Sequence, residues 1–185
     1  MKVKMTSARR LLTFALCLLP LAFLASSCGY ALAGRGSFLP DYIKIIGVPQ
    51  FTNSTSTFDL DRIITTQVRQ ELQNRGRYRV QPDATGDAII TGTISALRAE
   101  AVGFDANQRA TRYAVTLTAN IECRDTHTNK VIWSNPSVLF REEYPVSSTG
   151  TTTDVNQFFR QDTTALTRLA QNFAKSVVTS ILENF

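Results

Sequence analysis

A strict alternation of apolar and polar residues near the middle of the chain restricts the fold most strongly. Every second side chain is apolar in this stretch, and the side chains between them are polar or small. The apolar positions are Tyr113, Val115, Leu117, Ala119, Ile121 and Cys123. Because successive side chains of a β-strand point to opposite faces, the pattern predicts a strand with one packed face and one hydrated face. An antiparallel sheet that is covered on one side only provides these surroundings.

Three further segments have the composition of β-strands. Residues 42–51 are rich in β-branched side chains, and Pro49 must stand at a strand end or a sheet edge. Residues 87–102 alternate again. The expected inner face of this segment is Ala88, Ile90, Gly92, Ile94 and Ala96. Residues 130–144 follow a polar turn and complete a hairpin, with a bend expected at Asn135-Pro136.

Two amphipathic helices accompany these strands. From about residue 58 to 75, apolar side chains recur at intervals of three and four, and Gly76 suits the position after a helix. A second helix is predicted from Asp154, a good N-cap, to about Glu183, with Asp162 as the flaw in its apolar stripe. The order β-α-β-β-β-α predicts an α+β two-layer sandwich. In it, two amphipathic helices pack on one mixed, mainly antiparallel sheet of about four strands.

The first 27 residues have the composition of an export signal. Four basic residues and no acidic ones accompany the apolar run 11–25, which is shorter than the roughly 20 residues that cross a bilayer. Small residues then precede Cys28, which resembles the lipobox of bacterial lipoproteins, where the cysteine is diacylated and begins the mature chain. The usual leucine three places before the cysteine is Ala25 here, and Leu24 lies one place earlier. Ordinary cleavage near Ser27 and a retained anchor helix are the alternatives.

This assignment divides the chain into three parts. We expect residues 1–27 to be a lipoprotein signal peptide that is removed, 28–40 to be the lipidated N-terminus and tether, and 41–185 to be a single α+β domain. The formal charge of +5 and pI near 9.4 suggest a nucleic-acid partner. Removal of the signal takes away four positive charges and leaves +1, so we expect no nucleic-acid partner.

The sequence offers little for catalysis or metal binding. His127 is the only histidine and lies in a turn, so a multi-histidine metal site is excluded. Glu142 and Glu143 are adjacent on a predicted strand and point to opposite faces, so they cannot form a facing acid/base pair. Cys123 is the only unmodified cysteine expected in the mature chain and should be buried and inert. We expect a binding protein with no catalytic residues, cofactor or metal, rather than an enzyme.

Two groups of arginines are candidates for anion binding, because a guanidinium group binds phosphate in a bidentate manner. The first group, around the tip of the long predicted hairpin, is Arg98, Arg109 and Arg112. The second group, at the junction of a helix and a strand, is Arg75, Arg77 and Arg79. Ordinary surface ion pairs, for example with Glu100 or Asp105, are the alternative.

The start of the mature chain and its first strand carry a family resemblance. The segments are Cys28-Gly-Tyr-Ala-Leu, Leu39-Pro and Ile43-Lys-Ile-Ile-Gly-Val-Pro-Gln-Phe-Thr-Asn53-Ser-Thr, followed by an amphipathic helix. Together they resemble the LptE-type lipopolysaccharide-assembly lipoproteins of the outer membrane. The resemblance covers essentially the whole mature chain in the order of its elements.

The resemblance implies a lipoprotein attached through Cys28 to the periplasmic face of the outer membrane, with a two-helix, four-stranded fold. It implies a plug inside an LptD-type β-barrel translocon that helps the barrel assemble and deliver lipopolysaccharide to the outer leaflet. The basic residues of the family match no motif here, so lipopolysaccharide binding by Arg98, Arg109 and Arg112 rests on their charge and position. The first strand also resembles curli-secretion and cell-wall-synthase-activator lipoproteins, which is the alternative. A soluble periplasmic enzyme is a second alternative, which the single histidine disfavours.

Overall fold

A computed structural model of the chain describes residues 39–145 and 163–183. The predicted signal peptide, Cys28 and most of the predicted tether lie outside these residues, as do Asp154 and Asp162 of the second predicted helix. Within the described residues, no helix is both long and apolar enough to span a membrane.

Six strands and two helices make up the described part of the chain. They are β1 (Ile45–Gly47), β2 (Thr52–Asn53), α1 (Leu60–Asn74), β3 (Arg79–Gln81), β4 (Ala88–Phe104), β5 (Ala110–Asp125), β6 (Val131–Pro145) and α2 (Thr163–Glu183). The sheet order is β3-β1-β4-β5-β6, and β2 pairs with β4 farther along that strand than β1 does. The pairs β4–β5 and β5–β6 are antiparallel, and the short strands pair in parallel. The predicted α+β class and mixed sheet are confirmed.

The predicted number of about four strands is wrong, because the sheet has six. The segment 42–51 divides into β1 and β2, since Pro49 has no N–H to donate and Phe51 turns into the core. The additional strand β3 has three residues and pairs only with β1 within the described sheet. Its register, Val80 opposite Ile46, depends on the path of the chain after α1, which periodicity does not indicate.

The core lies between the two helices and one face of the sheet. The alternating side chains of β5 from Tyr113 to Cys123 are all buried, as predicted. Helix α1 buries Leu60, Ile64, Thr65, Val68 and Leu72, and Phe173 of α2 packs edge-on against Phe140 of β6. The sheet therefore has one packed face and one face directed to solvent, which we call the outward face.

The alternation of β4 shifts by one position in its middle. Ile94 pairs with Ala119 and Ala96 pairs with Thr118, so Ser95 is the extra residue of a β-bulge. Our placement of Ala96 on the inner face is therefore wrong: Ala96 lies in an outward row, and Leu97 is buried in its place. A second irregularity, where Ala119 faces Val138 and Ile121 faces Asn135, confirms the expected bend of β6 at Asn135-Pro136.

Candidate functional site

The outward face of β4, β5 and β6 is polar along most of its length. Most of its side chains are exposed or half-buried, whereas Ala114, in the row of Glu100 and Glu143, is buried. They include Thr91, Thr93, Thr116, Thr118, Asn120, Glu122 and Ser134. Leu139 is an apolar exception and is 66% exposed. The predicted hydrated face is thus present, and the arginines stand out on it as charged groups.

Arg98 and Arg141 lie in one row across the outward face. Thr116 of β5 pairs with Arg98 of β4 on one side and with Arg141 of β6 on the other. Cross-strand partners point to the same face, so the two arginines flank a short threonine side chain. Adjacent strands are about 4.8 Å apart, which places the two α-carbons roughly 10 Å from each other. Long side chains from both sides can therefore converge on one anion above Thr116.

Both guanidinium groups of this row are exposed and available to bind a ligand. Within residues 39–145 and 163–183, neither Arg98 nor Arg141 has a hydrogen-bond or ion-pair partner on its side chain. The surface ion pair to Glu100 that we considered for the hairpin arginines does not form here. Two guanidinium groups without a carboxylate partner can both bind a phosphate without first breaking an ion pair.

Arg112 lies on the same face, four residues before Thr116 on β5. Its Nη1 is 3.3 Å from Oε2 of Glu143, and both side chains are more than half exposed. The Arg112 side chain also lies across Gly103 of β4, where a Cβ atom would be 3.0 Å from Nε. The site therefore contains one paired and two unpaired arginines.

Arg109 belongs to the turn that joins β4 and β5. The carboxylate of Asp105 accepts hydrogen bonds from the backbone N–H groups of Asn107 and Arg109, each at 2.8 Å. Asp105 therefore organises the turn, and in the described structure it makes no ion pair with the Arg109 guanidinium. Gln108 has φ 62°, a left-handed conformation that completes the turn. Arg109 is close to Arg112 in sequence, but it lies in the turn and does not belong to a cross-strand row.

The second arginine group lies away from the outward face of β4, β5 and β6, and one of its residues, Arg75, stabilises the packing of the two helices. Arg75 forms ion pairs with Glu71 and Glu183 and donates a hydrogen bond to Thr179, so it joins the ends of α1 and α2. Arg79 pairs with Ile45 of β1, at the edge of the sheet away from β6. The structure therefore does not bring this group together with the hairpin arginines.

His127 takes part in a cluster that closes the turn between β5 and β6. The hydroxyl groups of Tyr42 and Thr128 donate to the buried carboxylate of Asp125 and hold its pKa well below the usual range. His127 is exposed, with Nδ1 3.6 Å from Asp125 and Nε2 3.8 Å from Asp87. The described residues contain no group of three or more His, Cys, Asp or Glu side chains that could hold a metal ion.

Glu142 and Glu143 point to opposite faces of β6, as predicted. Glu142 accepts hydrogen bonds from Tyr144 and Asn172 on the helix side of the sheet. Arg168 of α2 lies 4.5 Å from the centre of the Tyr144 ring. Glu143, in contrast, contacts Arg112 on the outward face. Glu142 therefore contributes to helix packing, and Glu143 contributes to the outward face.

Cys123 should be unreactive in the folded protein. It is fully buried, and burial raises the pKa of its thiol to about 12, so almost no thiolate is present at pH 8. In a mature chain whose Cys28 is blocked, we expect a thiol reagent to label Cys123 only as fast as the chain unfolds. Labelling should become fast in denaturant, where the pKa returns to about 8.5. Rapid stoichiometric labelling of the native chain would contradict this placement.

The whole described fold matches one family of assembly proteins. A family model described as LptE, lipopolysaccharide-assembly, matches residues 43–181, which include every strand and nearly all of both helices. The chain belongs to the LptE family. Membership assigns it to lipopolysaccharide assembly in general terms. A search of curated proteins gives no significant match.

Solved structures with a similar fold include several bacterial proteins. The PelC dodecamer from Paraburkholderia phytofirmans is 16% identical, with a TM-score of 0.50 over 80% of this chain and 94% of that one. Protein XCC0632 from Xanthomonas campestris is 13% identical, with a TM-score of 0.49 over 75% and 84%. Lipoprotein GNA1162 from Neisseria meningitidis is 13% identical, with a TM-score of 0.40 over 69% and 98%. At these identities the likeness to PelC concerns the fold alone.

In this LptE-family chain, Arg141 and the contact of Arg112 with Glu143 were not predicted from the sequence. Arg141 follows Phe140 on β6, and that phenylalanine packs inward, so the alternation itself places Arg141 outward. Its register opposite Thr116, however, depends on the irregularity at Pro136. A count of residues from the turn would therefore not place Arg141 in the same row as Arg98.

Proposed function

We propose that this chain is an outer-membrane lipoprotein that plugs an LptD-type β-barrel, assists the assembly of that barrel and helps deliver lipopolysaccharide to the outer leaflet. Membership of the LptE family supports the general role. The observation that carries the lipid-binding part is the unpaired arginine row, Arg98 and Arg141, on a polar face where the other arginines, Arg112 and Arg124, are paired with glutamates.

The plug role is supported by the polarity of both outer surfaces. Threonine and asparagine side chains cover the outward face of the sheet. On the other side, α1 and α2 enclose a polar cleft of about 210 Å³. Its lining is Gln67, Gln70, Glu71, Asn74, Gln171, Asn172 and Lys175. The lumen of a large outer-membrane barrel is polar, so amide and hydroxyl groups on both sides suit contact with its wall.

The lipid-binding role uses the arginines of the hairpin and of β6. Arg98 and Arg141 would bind a phosphate of lipopolysaccharide above Thr116, and Arg109 and Arg112 would add positive charge toward the hairpin tip. A guanidinium group that binds a phosphate in a bidentate manner competes with whatever held that phosphate within the aggregate. Binding would therefore loosen lipopolysaccharide aggregates, and it requires no chemical turnover.

The anchor would keep the plug beside the barrel. An acylated Cys28 carries several acyl chains, and each buried CH₂ contributes about 0.8 kcal/mol, so attachment is stable where a single chain would dissociate. Confinement to the membrane surface raises the effective concentration of the plug near its partner.

Metabolic labelling tests the anchor. Cells expressing the full chain should incorporate a palmitate analogue into this protein, and the Cys28→Ser variant should lose the label and leave the membrane fraction. A Cys123→Ser variant is the matched control and should keep its label. Label that persists in Cys28→Ser would contradict acylation at that residue.

The alternative function, in curli secretion or cell-wall-synthase activation, has weaker support. Its basis is the likeness of the first strand, and in this fold Phe51 and Asn53 of that segment have structural contacts. The Phe51 ring packs against Gly92, and the Asn53 side chain bonds to Thr55 and Thr57 in the following loop. The family match, which runs from residue 43 to 181, favours lipopolysaccharide assembly.

A further inference from the structure

We infer that Phe58 is the anchor of a protein-docking surface on the loop between β2 and α1, and that the partner takes up this side chain in an apolar pocket. This loop, residues 54–59, is called the Phe58 loop. Phe58 is 90% exposed, more than any other large apolar side chain of the described residues. The inference rests on the proposed plug role for the identity of the partner, which is the LptD-type β-barrel.

The smaller side chains on either side of Phe58 are buried. Thr57 is only 6% exposed, and Leu60 is fully buried. An aromatic ring contributes more to a hydrophobic core than a threonine side chain does. A loop that served folding alone would therefore place the ring of Phe58 inside and Thr57 outside, which is the reverse of the observed arrangement.

Hydrogen bonds hold the loop in one conformation. Nδ2 of Asn53 donates to the carbonyl oxygen of Thr57 at 2.8 Å, and Oδ1 of Asn53 accepts from the backbone N–H and the hydroxyl group of Thr55 at 2.9 and 2.7 Å. The backbone N–H of Ser54 donates to the carbonyl oxygen of Ile94 on β4 at 2.9 Å. Because the loop is ordered before binding, the partner does not have to immobilise it, which favours affinity.

The last residue of the loop, Asp59, has a left-handed backbone conformation. Its φ is 65° and its ψ is 7°, and its side chain makes no capping hydrogen bond to α1. The carboxylate instead pairs with Arg62, with Nε 2.8 Å from Oδ1. Non-glycine residues in this region are uncommon and occur often at binding sites. The turn at Asp59 separates the exposed Phe58 from the buried Leu60, so the strained residue directs the ring outward.

The chemistry around the ring favours a protein pocket over a lipid bilayer. The other side chains of the loop are serine and threonine, apart from Asp59, its only charged residue, which is paired with Arg62. An apolar anchor within a rim of small polar groups is the arrangement of a protein-binding hot spot. Segments that bind membranes instead place basic residues beside their apolar side chains.

The affinity of the mature chain for the purified barrel tests the inference. Phe58→Ser should weaken binding about thirtyfold, the loss typical of a hot-spot residue, and should leave the melting temperature unchanged because the ring is exposed. Phe58→Leu should recover most of the affinity, since leucine also fills an apolar pocket. Phe104→Ser is the matched control, because it removes another exposed phenylalanine, and it should weaken binding less than about threefold. The loss from Phe58→Ser should be the same at low and high salt.

Asn53 is a positioning residue, and a double-variant cycle tests this role. Asn53→Ala should weaken barrel binding about tenfold when Phe58 is present, because the loop no longer holds the ring in place. In the Phe58→Ser background the same substitution should weaken binding less than about twofold. An equal loss in both backgrounds would overturn the positioning role of Asn53.

Other outcomes would overturn the inference or its partner. Unchanged barrel affinity in Phe58→Ser, or an equal loss from Phe104→Ser, would show that Phe58 is not the anchor. Binding of the non-acylated Cys28→Ser chain to vesicles of phosphatidylethanolamine and phosphatidylglycerol, lost in Phe58→Ser, would replace the protein pocket with a bilayer. Failure of the wild type to bind the barrel would instead overturn the proposed plug role, and with it the partner assigned to Phe58.

Discussion

Replacement of both Arg98 and Arg141 by glutamine should lower the affinity of the mature chain for lipopolysaccharide about a hundredfold. Each single substitution should lower it about tenfold. A hydrogen bond to a charged group contributes about 1.5–3 kcal/mol, and a loss of 1.4 kcal/mol corresponds to a factor of ten. Both guanidinium groups are unpaired in the described structure, so the lost contact is not offset by release of an internal ion pair. Isothermal titration at fixed ionic strength measures the change.

The control for the arginine row is Arg124→Gln. Arg124 lies on the same strand but pairs with Glu122 and contacts the carbonyl oxygen of Asn129 near the other end of β5. The Arg124→Gln substitution should lower the affinity for lipopolysaccharide less than twofold if binding depends on the position of the arginine and not on net charge. If Arg124→Gln lowers the affinity as much as either single row variant does, the contribution of Arg98 and Arg141 is only nonspecific electrostatic attraction. Circular dichroism should show that all variants stay folded, because the arginines are exposed.

Substitution of Gly92 by alanine should destabilise the fold by about 2–3 kcal/mol and lower the melting temperature by about 5–10 °C. A Cβ atom at Gly92 would lie 2.6–2.8 Å from three carbons of the Phe51 ring. Phe51 is only 3% exposed, so the ring has little room to move away. Thermal unfolding followed by circular dichroism measures the effect.

Two further variants isolate the cause of this effect. Gly76 has φ 68° and open space around it. Gly76→Ala should therefore lower the free energy of unfolding by only about 1 kcal/mol, because alanine disfavours the left-handed conformation. A Phe51→Leu substitution should relieve the contact. The Gly92→Ala/Phe51→Leu double variant should therefore lose less free energy of unfolding than the two single variants lose together. Additive losses would show that the Phe51 ring does not limit Gly92.

The packing of this fold could be predicted where periodicity alone decides it. The alternation of β5 identified every inner side chain from Tyr113 to Cys123, because β5 is regular along that stretch. The stripe of α1 was also found, and the observed Leu60–Asn74 lies within the predicted 58–75. Both patterns arise from burial on one face, which local sequence records directly.

Other features could not be predicted because they depend on contacts between distant segments. The bulge at Ser95 shifts Ala96 outward, and its only local sign is the placement of Ile94 and Leu97 three residues apart. Strand β3 is too short to have a period. The arginine row needs the register of three strands at once, and two of those strands contain irregularities.

Co-purification from the outer membrane should show whether this chain is the plug of a β-barrel. The tagged full chain should be extracted in mild detergent, and its partners should be identified by mass spectrometry with their stoichiometry. We expect one LptD-type β-barrel per chain, and it should be retained after washing in high salt because the barrel would enclose the polar surface of the plug. Recovery of the chain as a self-assembled ring, or with a cell-wall synthase and no barrel, would contradict the plug.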